Sequence, residues 1–210
     1  MGIALALFFI LNKQMACDLT KGRAVPCKDV VGGIRAVYFV DFGDFSSVTL
    51  TNDEVTDISG TFSAYQYVVK GNSSFEQAFN SSRENGSTFF TQTLNLTLTK
   101  LTKEDNKELK LLAYGRPYVV VEDYNGNSFL MGKNYGAEVT GGTIVTGAAM
   151  GDLSGYTLTM EGQEQLPANF IAGAVVGNPF AGCASAVETI VVGSNSYMIE
   201  GGESPLIFTR

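Results

Sequence analysis

From Val30 onward the apolar residues mostly recur at every second position, the period of a backbone whose side chains alternate between two faces. The stretch GIRAVYFVDF (Gly33–Phe42) is apolar on both parities, which predicts a strand covered on both sides. SSVTLT (Ser46–Thr51) and TFSAYQYVVKG (Thr61–Gly71) predict two further strands. FFTQTLNLTLTKL carries the cleanest alternation: Leu94, Leu96 and Leu98 fall on one face, and Thr93, Asn95, Thr97 and Thr99 on the other. One helix interrupts the strands. Thr102 is placed as its N-cap, Glu104 and Asp105 put negative charge in the first turn, and Leu109, Leu112 and Ala113 form an apolar stripe. The helix is expected over about residues 103–114, with Gly115 as a left-handed C′ residue, Pro117 just beyond and Arg116 as a cation near the helix end.

The next stretch, RPYVVVEDYNGNSFLMGKNYG, predicts a hairpin. Asn125-Gly126 between two β-rich runs is the signature of a type I′ turn, which needs positive φ at both positions. Asp123, Asn125 and Asn127 are also spaced like the first ligands of a calcium loop, but the later bidentate glutamate is missing at the required distance, so the hairpin is preferred. GAEVTGGTIVTGAAMGDLSGYTLTMEGQE follows. It is not a phosphate loop: no Lys or Arg lies between Lys133 and its end, and it runs into an alternating strand (Tyr156, Leu158, Met160) instead of a helix. Gly136–Gly155 is therefore expected to be a projecting loop of about twenty residues, a length that is uncommon unless the loop is functional. Thr143, Ile144, Val145, Met150 and Asp152 are its candidate subunit-interface residues, ordering against a neighbouring copy. Beyond Pro167 the pattern breaks, and Ala186–Val192 is the strand expected within residues 171–210.

These elements predict a mainly β fold, a β-sandwich or barrel-like arrangement of antiparallel sheets with one flanking helix and a long projecting loop. Residues 1–16 are read as an N-terminal extension and residues 17–170 as the sandwich. Residues 171–210 are a glycine-rich segment packed on the same domain or on a neighbour.

Composition narrows the chemistry. The 210 residues fit one domain, large enough to bury about 70% of its unfolded surface without a disulfide or metal. Charged residues make up 17%, and the balance of 14 Lys and Arg against 21 Asp and Glu gives a net charge of −7. That balance opposes tight nucleic-acid binding, which requires clustered cations. The absence of histidine removes Ser-His-Asp and Cys-His catalysis and most catalytic zinc sites. Cys17, Cys27 and Cys183 are too few and too widely spaced for a disulfide framework; a Cys17–Cys27 bridge stays open, with reduced thiols preferred. The carboxylate pairs Asp41/Asp44, Glu122/Asp123 and Glu161/Glu164 lack a partner base or nucleophile and read as solvated or turn residues. No catalytic, metal or cofactor site is expected, and the protein is read as non-enzymatic.

The N-terminal MGIALALFFIL has the length of an export signal's apolar run, but Lys13 follows it instead of preceding it. The preferred reading takes Met15 as the working start. A degenerate export signal and a packed element are the alternatives. The run is too short to span a bilayer as a helix.

GRAVPCKDVVGGIRAVYF, ELKLLAYGRPYVVVEDYNGNSFLMG and EVTGGTIVTGAAMGDLSGYTLTMEGQE together resemble structural proteins of tailed bacteriophages. The order strand, capped helix, strand, hairpin, glycine-rich arm and strand is most similar to the tail-tube family, over most of Gly22 to Phe170. The resemblance implies a virion subunit, assembled in the host cytoplasm into homo-oligomeric rings, that contacts other virion proteins and lets DNA pass as unbound cargo. It implies no membrane and no cofactor. A capsid decoration or head–tail connector protein, or a secreted β-sandwich or adhesin module at the bacterial cell surface, are the alternatives.

Overall fold

The computed structural model describes residues 21–24, 28–193 and 195–200. The chain divides into two compact units, Met1–Val30 and Val31–Arg210, and every strand and helix described belongs to the second. The expectations about the first 14 residues and about Cys17 and Cys27 lie outside the described residues.

The second unit is mainly β, as the periodicity predicts. In chain order it contains β1 (Ile34–Val40), β2 (Ser47–Thr51), β3 (Glu54–Val68), β4 (Ser74–Ser82), β5 (Ser87–Thr99), α1 (Lys103–Tyr114), β6 (Tyr118–Asp123), β7 (Ser128–Met131), β8 (Glu138–Val145), β9 (Gly155–Glu164), β10 (Asn169–Ile171), β11 (Ala186–Val192) and β12 (Asn195–Glu200). The larger sheet follows the path β1-β6-β7-β10-β3-β11-β12, with β2 paired to β3. Because β1 also pairs with β3, the first five strands of that path return on themselves and close a small barrel. The second sheet is four-stranded and antiparallel, in the order β4-β5-β9-β8.

Two apolar cores follow from the alternation along β1. Ala36, Tyr38 and Val40 point into the barrel with Val55, Ile58, Phe62, Val120 and Leu130, and Phe180 fills that core edge-on to Phe62 with centroids 5.0 Å apart. Val37 and Phe39 point the other way, with Val119, Val121 and Met131, and meet Leu94, Leu96 and Met160 of the four-stranded sheet. The strand covered on both sides is therefore the wall shared by the barrel and the sandwich. A register shift between Ile34 and Ala36 moves Ile34 into the second core despite its even spacing from Ala36.

The helix matches its sequence signals at the N-terminus. The Asp105 amide donates to Thr102 Oγ1 at 3.0 Å, and Leu109 is buried. Its C-terminus differs: Gly115 is extended, with φ of −92°, and its single N–H donates to both Leu111 and Leu112 carbonyls. That exit leads through Arg116 and Pro117 straight into β6, so no left-handed residue is required.

The Asn125-Gly126 hairpin joins β6 to β7, but not through a type I′ turn. Gly126 alone has positive φ, at 83°. Its N–H donates to the Asp123 carbonyl at 3.4 Å, and the Asp123 N–H donates to the Asn127 carbonyl at 2.9 Å, the pattern of a three-residue loop closed by a glycine bulge. The Asn125 side chain is committed elsewhere: it accepts from the Val31 N–H at 3.0 Å and donates to the Val31 carbonyl at 2.8 Å.

Four strands escaped the sequence reading: β4, β8, β10 and β12. The projecting loop also proves shorter than expected, because residues 138–145 form β8 and only 146–154 remain as a turn.

Leu94→Ala should lose about 2–5 kcal/mol of stability in urea unfolding, because Leu94 is fully buried between the two sheets. Phe79→Ala, which removes an exposed ring, should change stability by less than about 0.5 kcal/mol in the same assay.

Candidate assembly interface

The five residues expected at an interface lie on one hairpin, β8 to β9. Thr143, Ile144 and Val145 end β8, while Met150 and Asp152 belong to the turn. β8 pairs only with β9, and no hydrogen bond from its other edge reaches a partner among the described residues. Its pairing is close. A side chain at Gly142 would place its Cβ 2.6 Å from the Thr157 carbonyl oxygen, so glycine allows the two backbones to approach. Next to it Thr143 Oγ1 lies 2.6 Å from Thr157 Oγ1, a hydroxyl pair on the outer face. Ile144, opposite Tyr156, is 64% exposed.

The turn is held by one carboxylate. Asp152 Oδ2 accepts from the amides of Ala149 at 2.7 Å and Ala148 at 2.9 Å, and these bonds keep its carboxyl below the ordinary carboxylate range. Gly147 has φ of 75°, and a Cβ there would meet Asp152 Cβ at 2.8 Å. The turn thereby presents Ala148, Ala149 and a fully exposed Met150 in one fixed arrangement. In place of a disordered arm, the sequence builds a preformed apolar tip.

The opposite edge of the same sheet is β4, which pairs only with β5. Its Phe79 is 78% exposed and edge-on to Phe90, with centroids 5.1 Å apart. Glu76 is the one charged residue of β4 and Glu138 the one of β8, and neither strand contains proline or lysine. Natural sheets usually guard open edges with lysine, proline or inward charge. Both edges of this sheet lack that protection.

The carboxylate pairs are separated or committed to structure. Glu122 is buried in the barrel, accepts from the Tyr38 hydroxyl at 2.9 Å and lies 3.5 Å from Arg35. Burial first, and then the Glu122 charge, push the Tyr38 phenol far above its ordinary value, so it stays a donor. Asp123 is opposed by partial burial but accepts from Asn127 and Asn125 at 2.8 Å each, and the hydrogen bonds prevail and lower its pKa. These bonds occupy the carboxylate whose spacing resembles a calcium ligand's, in keeping with the preferred hairpin. Glu164 is buried and ties down the amides of Asn134 at 2.7 Å and Tyr135 at 2.9 Å. Arg116 does not answer the helix end; its guanidinium lies 4.6 Å over the Phe42 ring.

Among the described residues no group of three or more acidic or cysteine side chains is arranged to hold a metal ion. No helix among them is long and apolar enough to cross a membrane. Comparison of the chain with protein-family models, with curated proteins and with solved structures gives no match.

The Asp152 carboxylate has a lowered pKa in the fold, so its hold on the tip is complete above the ordinary value of 3.8 and lost as pH falls through the lower folded value. The Ala148 and Ala149 amide shifts in two-dimensional NMR should therefore titrate together with a midpoint below 3.8. In Asp152→Asn that titration should vanish.

Proposed function

We propose that this chain is a non-enzymatic structural subunit that assembles with copies of itself, most specifically a subunit of a bacteriophage tail tube. The observation that carries the proposal is the four-stranded sheet, open and unguarded at both ends. β4 offers nine residues of unpaired backbone on one side and β8 offers eight on the other. These are different surfaces, so pairing β4 of one copy with β8 of the next is head-to-tail, and closes into a ring where the rotation permits. Backbone pairing of that length supplies directional hydrogen bonds, and the apolar tip and Phe79 supply burial.

The sequence resemblance to tail-tube proteins supports the ring reading, as does the low charge content. The net charge of −7 supports its second part: carboxylates around a central passage would repel phosphates and let DNA slide through as unbound cargo. The partners proposed are other copies and the neighbouring virion proteins, and the site of assembly is the host cytoplasm.

Negative-stain microscopy of concentrated protein should show rings or tubes of regular diameter. Ile144→Lys or Phe79→Lys places a cation beside one edge, and each should abolish assembly while leaving the circular dichroism of the monomer unchanged. A strictly monomeric wild-type chain, with and without preformed tubes as template, would sink the proposal.

A further inference from the structure

The sequence contains two Asn-Gly pairs, Asn85-Gly86 and Asn125-Gly126, and both lie in hairpin turns. Asparagine before glycine is open to an intramolecular reaction, because a glycine has no side chain to crowd its amide nitrogen as that nitrogen approaches the asparagine Cγ. Whether the reaction runs depends on what holds the two reacting groups, the side-chain amide and the N–H that follows it. The two turns differ in both.

At Asn125 both groups are held. Its Nδ2 donates to the Val31 carbonyl at 2.8 Å and to Asp123 Oδ2 at 3.3 Å, and its Oδ1 accepts from the Val31 N–H at 3.0 Å. The Gly126 N–H donates to the Asp123 carbonyl at 3.4 Å. Asp123 Oδ1 also accepts from the Asn125 and Asn127 backbone amides at 2.8 Å each, which fixes the main chain on both sides of the pair. Turning the Asn125 Cγ towards the Gly126 nitrogen breaks the side-chain bonds.

At Asn85 neither group is held. Residues 83–86 connect β4 to β5, and all of them are exposed. Among the described residues the Asn85 side chain has no hydrogen-bond partner, and the Gly86 N–H has none either. The Asn85 N–H donates to Ser82 Oγ at 3.3 Å, which steadies the main chain and leaves the side chain free to rotate. Gly86 has φ of 60°, and a Cβ there would meet nothing within 4 Å, so the surroundings are open. Arg83 and Glu84 are the charged residues of this turn, and neither forms an ion pair among the described residues.

We infer that Asn85 is a site of spontaneous deamidation, and that Asn125 is protected from it by its hydrogen bonds. The Gly86 nitrogen gives up its proton and attacks Asn85 Cγ. The N–Cγ bond forms, the Cγ–Nδ2 bond breaks, and Nδ2 leaves as ammonia with the proton that Gly86 gave up. Water then opens the cyclic imide. Opening at Cγ gives aspartate; opening at the α-carbonyl carbon gives isoaspartate, whose main chain runs through Cγ and is one methylene longer. Water is the one co-reactant, and nothing is oxidised or reduced. Each conversion adds a negative charge to a turn that already carries Glu84, at the end of the β4 edge. The added atom falls outside the β4–β5 ladder, whose last pair is Ser82 and Ser87, so the fold persists. The inference is independent of the self-assembly reading.

Peptide mapping by mass spectrometry tests it on the full chain held in warm, mildly alkaline buffer, folded and in urea. In the folded chain Asn85 should convert at least about tenfold faster than Asn125, because Asn125 must first break several hydrogen bonds. In urea the two rates should come within about threefold of each other, since both are then Asn-Gly in an open chain. Isoaspartate should be found at residue 85 by methyl transfer from an isoaspartyl methyltransferase, and circular dichroism should not change. Asn85→Gln should remove the acidic species that wild type accumulates on ion exchange. A folded chain in which Asn85 stays intact while urea releases its conversion overturns the site. Equal conversion of the two asparagines in the folded chain overturns the protection of Asn125. An acidic species that persists unchanged in Asn85→Gln places the reaction elsewhere and overturns the assignment.

Discussion

The structure depends on β1 being used from all four sides. Its two edges pair with β3 and β6, and its two faces belong to different apolar cores. From Ala36 to Val40 each residue is paired with β3 on one edge and β6 on the other, and nearly every side chain of the strand is buried. A slip of one residue would exchange the side chains of the two cores, so the register is fixed by both at once. The polar exception obeys the same constraint. Tyr38 enters the barrel core with a hydroxyl, and Glu122 and Gln66 answer it at 2.9 and 2.7 Å. Glu122 in turn draws in Arg35 and the Gly177 amide at 3.3 Å. Removing one member would leave a buried polar group or charge without its partner, which costs more than the pair itself contributes.

The elements legible in the sequence are those where one face or both are buried. The leucine alternation of β5, the doubly apolar β1 and the Thr102 cap all record contacts that the fold makes. What escaped notice lies where burial leaves no record. β8 is an edge strand with little buried on either face, and its Gly141-Gly142 pair serves backbone approach to β9, so its composition resembled a loop. β4 reads as Ser/Thr/Asn-rich because half of its residues face solvent. Gly115 and Asn125 have the residue types for positive φ yet adopt neither, because α1 exits straight into β6 and the Asn125 amide is bonded to Val31. The segment expected as a free arm has a different shape: β8 and a turn held by Asp152 replace it.

A prefolded tip changes the thermodynamics of association. An arm that orders on contact loses backbone entropy of about 1–2 kcal/mol per residue fixed. Here Asp152 and Gly147 have already fixed the turn in the isolated chain. With the sheet edges formed as well, the proposed self-association would order little beyond side chains.

The long strand β3 also bears on how the chain is made. It pairs antiparallel with β1 and β2, elements adjacent in sequence, but the edge at Gly60–Tyr65 takes β11 in parallel from residues 186–191. A ribosome that has released β3 must add more than a hundred further residues, about ten seconds of synthesis, before that partner exists. Throughout that interval the edge destined for β11 stands exposed beside its unfinished barrel. Unpaired backbone of the kind found along β4 and β8 makes such an edge prone to mispairing, and its protection waits on late, long-range closure by the C-terminal strands.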